Sequence, residues 1–308
     1  MLSVIIDLGE PMNAPPRPRN VRKTYREDII MKKVLASVLV MCLLFTAAAC
    51  AEFDSKVNEI VCMGTSCTAD FDSDGAAEEA LLTSDVNEYG DGSFTLTVNG
   101  QSCFTDGAVS LDTALYAMKI GFGDYWYGTM FMVQEYGPSD DPLTYCFVYA
   151  DGRLSACGMI PALCTDFRVD EDGLIHTRVR AKMIGTWARP ATYVLADGMD
   201  YDSMSYERFF GVCEVPQGMY PMGMILDLKQ DIDVYPTPSC DEPNGMLFAG
   251  GKIILAATND ASLLYVCDMY GEICGWLPMK HEEYLDMVMV NGRYEYIDDV
   301  FGNILYAD

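Results

Sequence analysis

Turn dipeptides punctuate this chain. Asn99-Gly100, Gly137-Pro138, Asp151-Gly152, Asp172-Gly173 and Asn291-Gly292 each interrupt short runs rich in Val, Tyr, Phe, Thr, Ile and Met. Asn-Gly and Asp-Gly accept the positive φ angles that a tight hairpin requires. Runs of this length and composition between such turns read as strands. Phe94–Val98 alternates apolar and polar residues before Asn99-Gly100. Thr129–Glu135 stops at Gly137-Pro138, Tyr145–Ala150 stops at Asp151-Gly152, and Ile175–Ile184 alternates behind the Asp170–Gly173 turn. No long stretch repeats at helical period, and Ser110–Met118 has room for one short helix at most. The expected fold class is all-β.

The compartment is read from residues 31–51. Lys32-Lys33 precede the apolar run Val34–Phe45, and the small residues Thr46, Ala47, Ala48, Ala49, Cys50 and Ala51 follow. Basic, apolar and small segments in that order form a secretory signal peptide, and the run is shorter than the about 20 residues of a membrane span. The signal begins at Met31. Residues 1–30 have no period and a Pro/Arg patch, and Arg26-Glu27-Asp28 can be encoded by a purine-rich string of the ribosome-binding type. They are expected to be an untranslated upstream extension or a disordered leader. Two processing sites compete. Ala49-Cys50-Ala51 fits small-x-small cleavage and starts the mature chain at Glu52. Ala47-Ala48-Ala49-Cys50 resembles a lipobox, in which Cys50 would carry the lipid, but Ala47 stands where Leu is usual. Free secretion is preferred, with a lipoprotein as the alternative.

Loss of residues 1–51 removes 7 of 20 basic and 4 of 46 acidic residues and leaves a net charge of −29. Such a surface repels nucleic acid and anionic lipid and favours cations. Ten cysteines remain in the mature chain: Cys62, Cys67, Cys103, Cys146, Cys157, Cys164, Cys213, Cys240, Cys267 and Cys274. An even count in an exported protein permits disulfides, while those inside apolar runs serve equally well as small buried residues. With no CxxC and only His176 and His281, a zinc site is not expected. Pro and Gly cluster in 216–224, which reads as a linker between a β domain over 52–215 and a compact unit over 225–280. A tail over 281–308 contains a hairpin about Asn291-Gly292.

The most specific motif is Asp70-Phe71-Asp72-Ser73-Asp74-Gly75-Ala76-Ala77-Glu78. Carboxylates at alternate positions converge when a Gly permits a sharp turn, and hard oxygen ligands suit Ca²⁺. The expected ligands are Asp70, Asp72, Asp74, the Ala76 carbonyl and Glu78. Leu81 occupies the place of the last EF-hand ligand, and the following residues look like a strand, so an EF-hand is excluded. An acidic hairpin that binds nothing is the simpler alternative. The loop resembles the calcium loop of FG-GAP (VCBS-type) repeats, which lies between strands. Tyr136–Pro142 followed by a strand and Asp151-Gly152, and Asp172–Ile175 with Thr186-Trp187, resemble degenerate blades of the same kind. The resemblance covers residues 56–215 and implies a propeller-like or sandwich-like β domain. A closed propeller needs at least four blades, and this length supplies barely that many.

The second unit resembles bacterial SH3-like domains. Leu228–Tyr235 leads into Pro236-Thr237-Pro238-Ser239, Gly250-Gly251-Lys252 opens the next strand, and Tyr270–Leu277 closes the pattern with Gly275-Trp276. The resemblance implies a small β-barrel and a cell-wall or peptide-binding role, with Tyr235 and Trp276 as candidate ligand walls. A purely packing role is the alternative. Tyr125, Trp126 and Tyr127 could stack on sugars if exposed, but adjacent aromatics in β proteins more often belong to a core.

The catalytic signatures GxSxG, HExxH and Gly-rich phosphate loops do not occur. The function expected is a secreted or surface-associated binding protein with one calcium loop and an SH3-like module, its partner being peptidoglycan or a surface protein or peptide. The alternative is a cell-wall or glycan hydrolase targeted by that module.

Overall fold

The computed structural model describes Phe53 and residues 57–121, 127–138, 141–199, 208–282 and 285–306. The expectations for residues 1–30, the signal peptide, Cys50, Tyr125 and Trp126 lie outside the described residues, as does the Tyr127 side chain.

The fold is nearly all β. β1 (Val61–Gly64) precedes a four-stranded antiparallel meander of β2 (Ser66–Ala69), β3 (Glu78–Val86), β4 (Gly92–Val98) and β5 (Gln101–Ala108). β6 (Leu115–Gly121), β7 (Tyr127–Glu135), β8 (Leu143–Ala150) and β9 (Arg153–Ile160) join β1 in a five-stranded sheet of order β1-β6-β7-β8-β9. β10 (Arg168–Val169), β11 (Ile175–Arg180), β12 (Ala188–Met199) and β13 (Arg208–Glu214) form a third, four-stranded sheet. Ser110–Met118, expected to have room for a short helix, contains a bridge at Leu111 and the start of strand β6 instead. Leu115, Ala117, Met118 and Ile120 are all buried, and a pleated strand carries them to opposite faces.

The five-stranded sheet is the middle layer. Phe131, Val133, Phe147 and Tyr149 on one face pack with Leu82, Phe94, Leu96 and Val98 of the first meander. Met130, Met132, Cys146 and Val148 on the other face pack with Ile175, Val179, Ala191 and Tyr193 of the third sheet. Burial on both faces explains why Met130, Phe131, Met132 and Val133 are consecutive and all fully buried. The hairpin turns follow the dipeptides: φ is +48° and +78° at Asn99-Gly100 and +50° and +69° at Asp151-Gly152.

The C-terminal part is built on β14 (Tyr220–Leu228), β15 (Ile232–Val234), β16 (Gly245–Leu247), β17 (Lys252–Thr258), β18 (Leu263–Asp268), β19 (Cys274–Glu282), β20 (Leu285–Val290), β21 (Arg293–Tyr296) and β22 (Phe301–Gly302). All but the β15–β16 ribbon lie in one seven-stranded sheet of order β21-β20-β19-β18-β17-β14-β22. The segment 216–224 enters strand β14 at Tyr220, and residues 285–302 extend the sheet at both edges. One short helix, α1 (Ile297–Val300), turns the chain back so that Phe301 and Gly302 pair with β14. Among the described residues no helix is long and apolar enough to cross a membrane.

The third sheet and the C-terminal sheet are joined through the β11–β12 turn. Met183 and Ile184 from that turn are buried in the C-terminal core. Their N–H groups donate to Asp260 Oδ1 at 3.2 Å and to Asp286 Oδ2 at 2.5 Å, and Thr186 N–H donates to the Leu305 carbonyl at 2.7 Å. Ile184 takes φ +65°, a costly conformation for a β-branched residue, and these bonds hold it there. A Cβ on the next residue, Gly185, would sit 2.3 Å from the Leu305 carbonyl oxygen.

Arg189 completes the joint. Its Nε donates to Asp260 Oδ2 at 2.7 Å, its Nη1 meets Glu214 Oε1 at 2.6 Å, and its guanidinium lies 4.6 Å from the Tyr220 ring centre. Burial works against its charge, but the hydrogen bonds to Glu214 and Asp260 outweigh this and hold its pKa above the ordinary value. Arg189→Leu leaves the Asp260 carboxylate buried without its cation and is expected to cost about 3–5 kcal/mol in urea unfolding. Arg180→Leu breaks a pair with Asp141 in which both side chains are more than two-fifths exposed, and is expected to cost less than about 1 kcal/mol.

Candidate metal centre in the acidic loop

The acidic loop joins β2 to β3, and its backbone is set by its own side chains. Asp70 accepts from the Asp74 and Gly75 N–H groups at 3.1 Å each, and Asp74 Oδ1 accepts from Ala76 N–H at 2.7 Å. Ser73 and Gly75 take φ of +61° and +91°, and the reversal they allow returns the chain to Glu78. Phe71 anchors the loop. Its ring is fully buried 4.9 Å from the Phe131 ring and 5.6 Å from the Phe53 ring. Its carbonyl accepts from Thr129 Oγ1 at 2.6 Å in the middle sheet. With Phe71 facing the core, neighbouring Asp70 and Asp72 face away from it.

Asp70, Asp72 and Glu78 each offer a carboxylate oxygen, and these oxygens lie within 4.8 Å of one another. Glu78 is 5% exposed and accepts from Phe71 N–H at 2.8 Å. Burial raises its pKa, and the nearby charges of Asp72, Asp74 and Asp70 raise it further, against the hydrogen bond from Phe71. Asp72 Oδ2 accepts from Gly152 N–H, in the β8–β9 turn, at 2.8 Å. Its Oδ1 is buried without a hydrogen-bond partner. A buried acceptor left unpaired is costly, and three converging carboxylates repel. A hard divalent cation would answer both, because oxygens each about 2.3–2.6 Å from one Ca²⁺ must lie within about twice that distance of each other.

Of the five expected ligands the structure groups Asp70, Asp72 and Glu78. Asp74 is exposed, with one oxygen committed to the Ala76 N–H, and Ala76 is exposed on the same turn. The Gly152 contact was not legible: it is 80 residues from Asp72, and nothing local marks it.

Tyr235 and Trp276 are brought together by their backbones. Tyr235 N–H donates to the Trp276 carbonyl at 3.0 Å and Trp276 N–H to the Tyr235 carbonyl at 2.8 Å. Gly275 permits this approach, since a Cβ there would lie 2.8 Å from the Tyr235 carbonyl. Tyr235 is buried, and half-buried Trp276 packs its ring 5.0 Å from that of Tyr265.

His176 sits between Asp170, whose Oδ2 is 2.8 Å from Nε2, and Thr192, whose Oγ1 is 3.1 Å from Nδ1. The line has the order of a proton relay. However, Asp170 Oδ1 also accepts from Asp172 and Leu174 N–H, and Gln217 Nε2 donates to Thr192 Oγ1 at 3.3 Å. These contacts fix the β10–β11 turn to β12. The hydrogen bond from His176, with that from Leu174 N–H, lowers the Asp170 pKa.

Comparison with family models, with curated proteins and with solved structures returned no match.

The raised pKa of Glu78 fixes a sign. Without a cation, the folded chain holds this proton at pH values where the unfolded chain, near 4.5, has lost it. The Glu78 contribution to stability therefore increases as pH falls through its raised pKa and declines as pH rises through that window. Thermal melts in chelator are expected to show this for the native sequence and a flatter difference for Glu78→Gln.

Proposed function

We propose that the chain is an exported interaction protein whose outer β layer is fastened to the middle sheet by Ca²⁺. The observation that carries this reading is the buried, unpartnered Asp72 Oδ1 beside Asp70 and Glu78. The loop holding it touches the middle sheet at Gly152 and Thr129. A cation there would neutralise repulsion at the junction of two layers, so its effect would be felt by the whole N-terminal stack. The loop's resemblance to FG-GAP calcium loops, the signal-like segment at 31–51 and the acidic mature chain point the same way.

The surface offered to a partner is at the end of the C-terminal sheet. Met269 and Tyr270, at the β18–β19 tip, are 41% and 87% exposed. The Ile273 side chain beside this tip lies against Gly245, next to exposed Met246. Apolar and aromatic side chains exposed together mark interaction surfaces more often than inert ones. On a chain of this charge, a contact with anionic cell wall must rest on such groups rather than on electrostatic attraction, which the SH3-like resemblance allows.

Calcium is expected to raise the melting temperature, with a gain of about 2.7 kcal/mol at a hundredfold excess over its dissociation constant. Asp72→Ala is expected to abolish the gain, and acidification to shrink it because protons compete at Glu78. Equal melting in chelator and in calcium would refute the site. Cosedimentation of the full chain with purified peptidoglycan is expected to vary little with salt and to weaken in Tyr270→Ser. Binding lost at high salt would refute the apolar contact.

A further inference from the structure

Nine cysteines are free thiols among the described residues, and they are not equivalent. Cys146, Cys157 and Cys164 are buried in the middle layer, where desolvation pushes their thiols up, Cys157 to about 12. Cys267 and Cys274 are different. They face each other directly across β18 and β19, and both are partly exposed.

The pairing type at this position follows from the backbone. Asp268 N–H donates to the Ile273 carbonyl at 2.8 Å, so residues 268 and 273 form a hydrogen-bonded pair. The next pair inward, 267 and 274, is therefore of the non-hydrogen-bonded kind. Trp276 gives the same answer independently, because its N–H and carbonyl point away from β18 toward Tyr235. Non-hydrogen-bonded pairs bring opposite Cα atoms to about 4.5 Å and opposite side chains closest together. That separation falls within the about 4.4–6.8 Å that a disulfide spans.

Both sulfurs lie on the outer face of the sheet. Leu264, Val266, Gly275 and Leu277, which alternate with them, are buried on the inner face. The thiols are close enough for Cys274 to hydrogen-bond Cys267, and Cys274 Sγ is also 3.5 Å from the Gly271 carbonyl.

We propose that Cys267 and Cys274 are a dithiol site that closes into a cross-strand disulfide by exchange with a small-molecule disulfide. One protein thiolate attacks the incoming S–S bond, forms a mixed disulfide and expels one small thiolate. The second protein thiolate attacks the protein sulfur of that mixed disulfide and expels the other. The two protein thiols give up two protons and two electrons, and the small disulfide leaves as two thiols. Burial and the hydrogen bond to Cys274 push the Cys267 thiol up. The bond closes the hairpin at the base of the tip that carries Met269 and Tyr270, the residues offered to a partner.

The test uses the full folded chain in oxidised and reduced glutathione, with free thiols then alkylated and the protein digested without reduction. The expected product is a linked peptide pair holding Cys267 and Cys274, lighter by two hydrogens than the reduced pair and separated by reductant. Cys267→Ser is expected to accumulate glutathione on Cys274, and Cys274→Ser on Cys267, because each variant lacks the thiol that resolves the mixed disulfide. Alkylation of both thiols in the native protein after equilibration with oxidised glutathione would overturn the proposal, as would linkage of either cysteine to a different one.

Discussion

Arg189 and Asp260 meet at 2.7 Å with both side chains almost wholly excluded from water. Neither could be buried alone, and each is satisfied further by groups from a different part of the chain. Asp260 Oδ1 accepts from Lys182 and Met183 N–H, while Glu214 and Tyr220 close around the guanidinium. The pair thus links β12, the β11–β12 turn, the end of β13, the start of β14 and the β17–β18 turn. The strained Ile184 corner and its insertion into the C-terminal core depend on this joint, since without it the turn would expose Met183 and Ile184. The third sheet is an antiparallel meander and the C-terminal sheet is antiparallel throughout, and their relation to one another is fixed here.

On the other side of the third sheet, the middle sheet supplies the remaining order. Its central strands β7 and β8 are buried on both faces over Thr129–Glu135 and Cys146–Ala150, so they carry no exposed stripe and their register is held by packing from two directions. The first meander, at the outside, packs through one face only. Its β2–β3 loop is where the layers come closest to an electrostatic conflict: carboxylates gather over a buried Phe71, and Asp72 Oδ1 has no partner. A strongly acidic chain gains doubly from a cation at that position, through the local repulsion removed and through the reduction of net charge.

The C-terminal sheet relates form to surface in another way. Gly275 lets Tyr235 and Trp276 exchange backbone hydrogen bonds, which draws the β15–β16 ribbon onto β19. Tyr235 is buried there, and the Trp276 ring packs against Tyr265. What remains exposed is the adjoining hairpin tip. The backbone contact that uses up Trp276 also dictates which side-chain pairs of β18 and β19 approach most closely, and it is this that brings Cys267 opposite Cys274.

Much of the secondary structure was legible because it is locally encoded. Asn-Gly and Asp-Gly take positive φ at little cost, so Asn99-Gly100, Asp151-Gly152 and Asn291-Gly292 could be placed as hairpin turns from residue type alone. The acidic loop was legible for the same reason, since Asp70 and Gly75 make their turn with near neighbours. Leu115–Gly121 was harder: continuous burial looks alike in a short helix and in a strand covered on both faces, and only the neighbouring sheets decide between them. Arg189, Asp260 and Glu214 carry no local mark. Their partners lie 71 and 25 residues from Arg189, and a charge becomes a structural joint only when folding removes the water around it. The contact of Asp72 with Gly152 and the facing of Cys267 by Cys274 are likewise products of register. Residue type alone places the turns and the strand-forming runs, because those are short-range steric and solvation preferences. Tertiary structure alone decided which carboxylates converge, which charges are buried and which thiols meet, because those depend on distances between strands that no local preference sets.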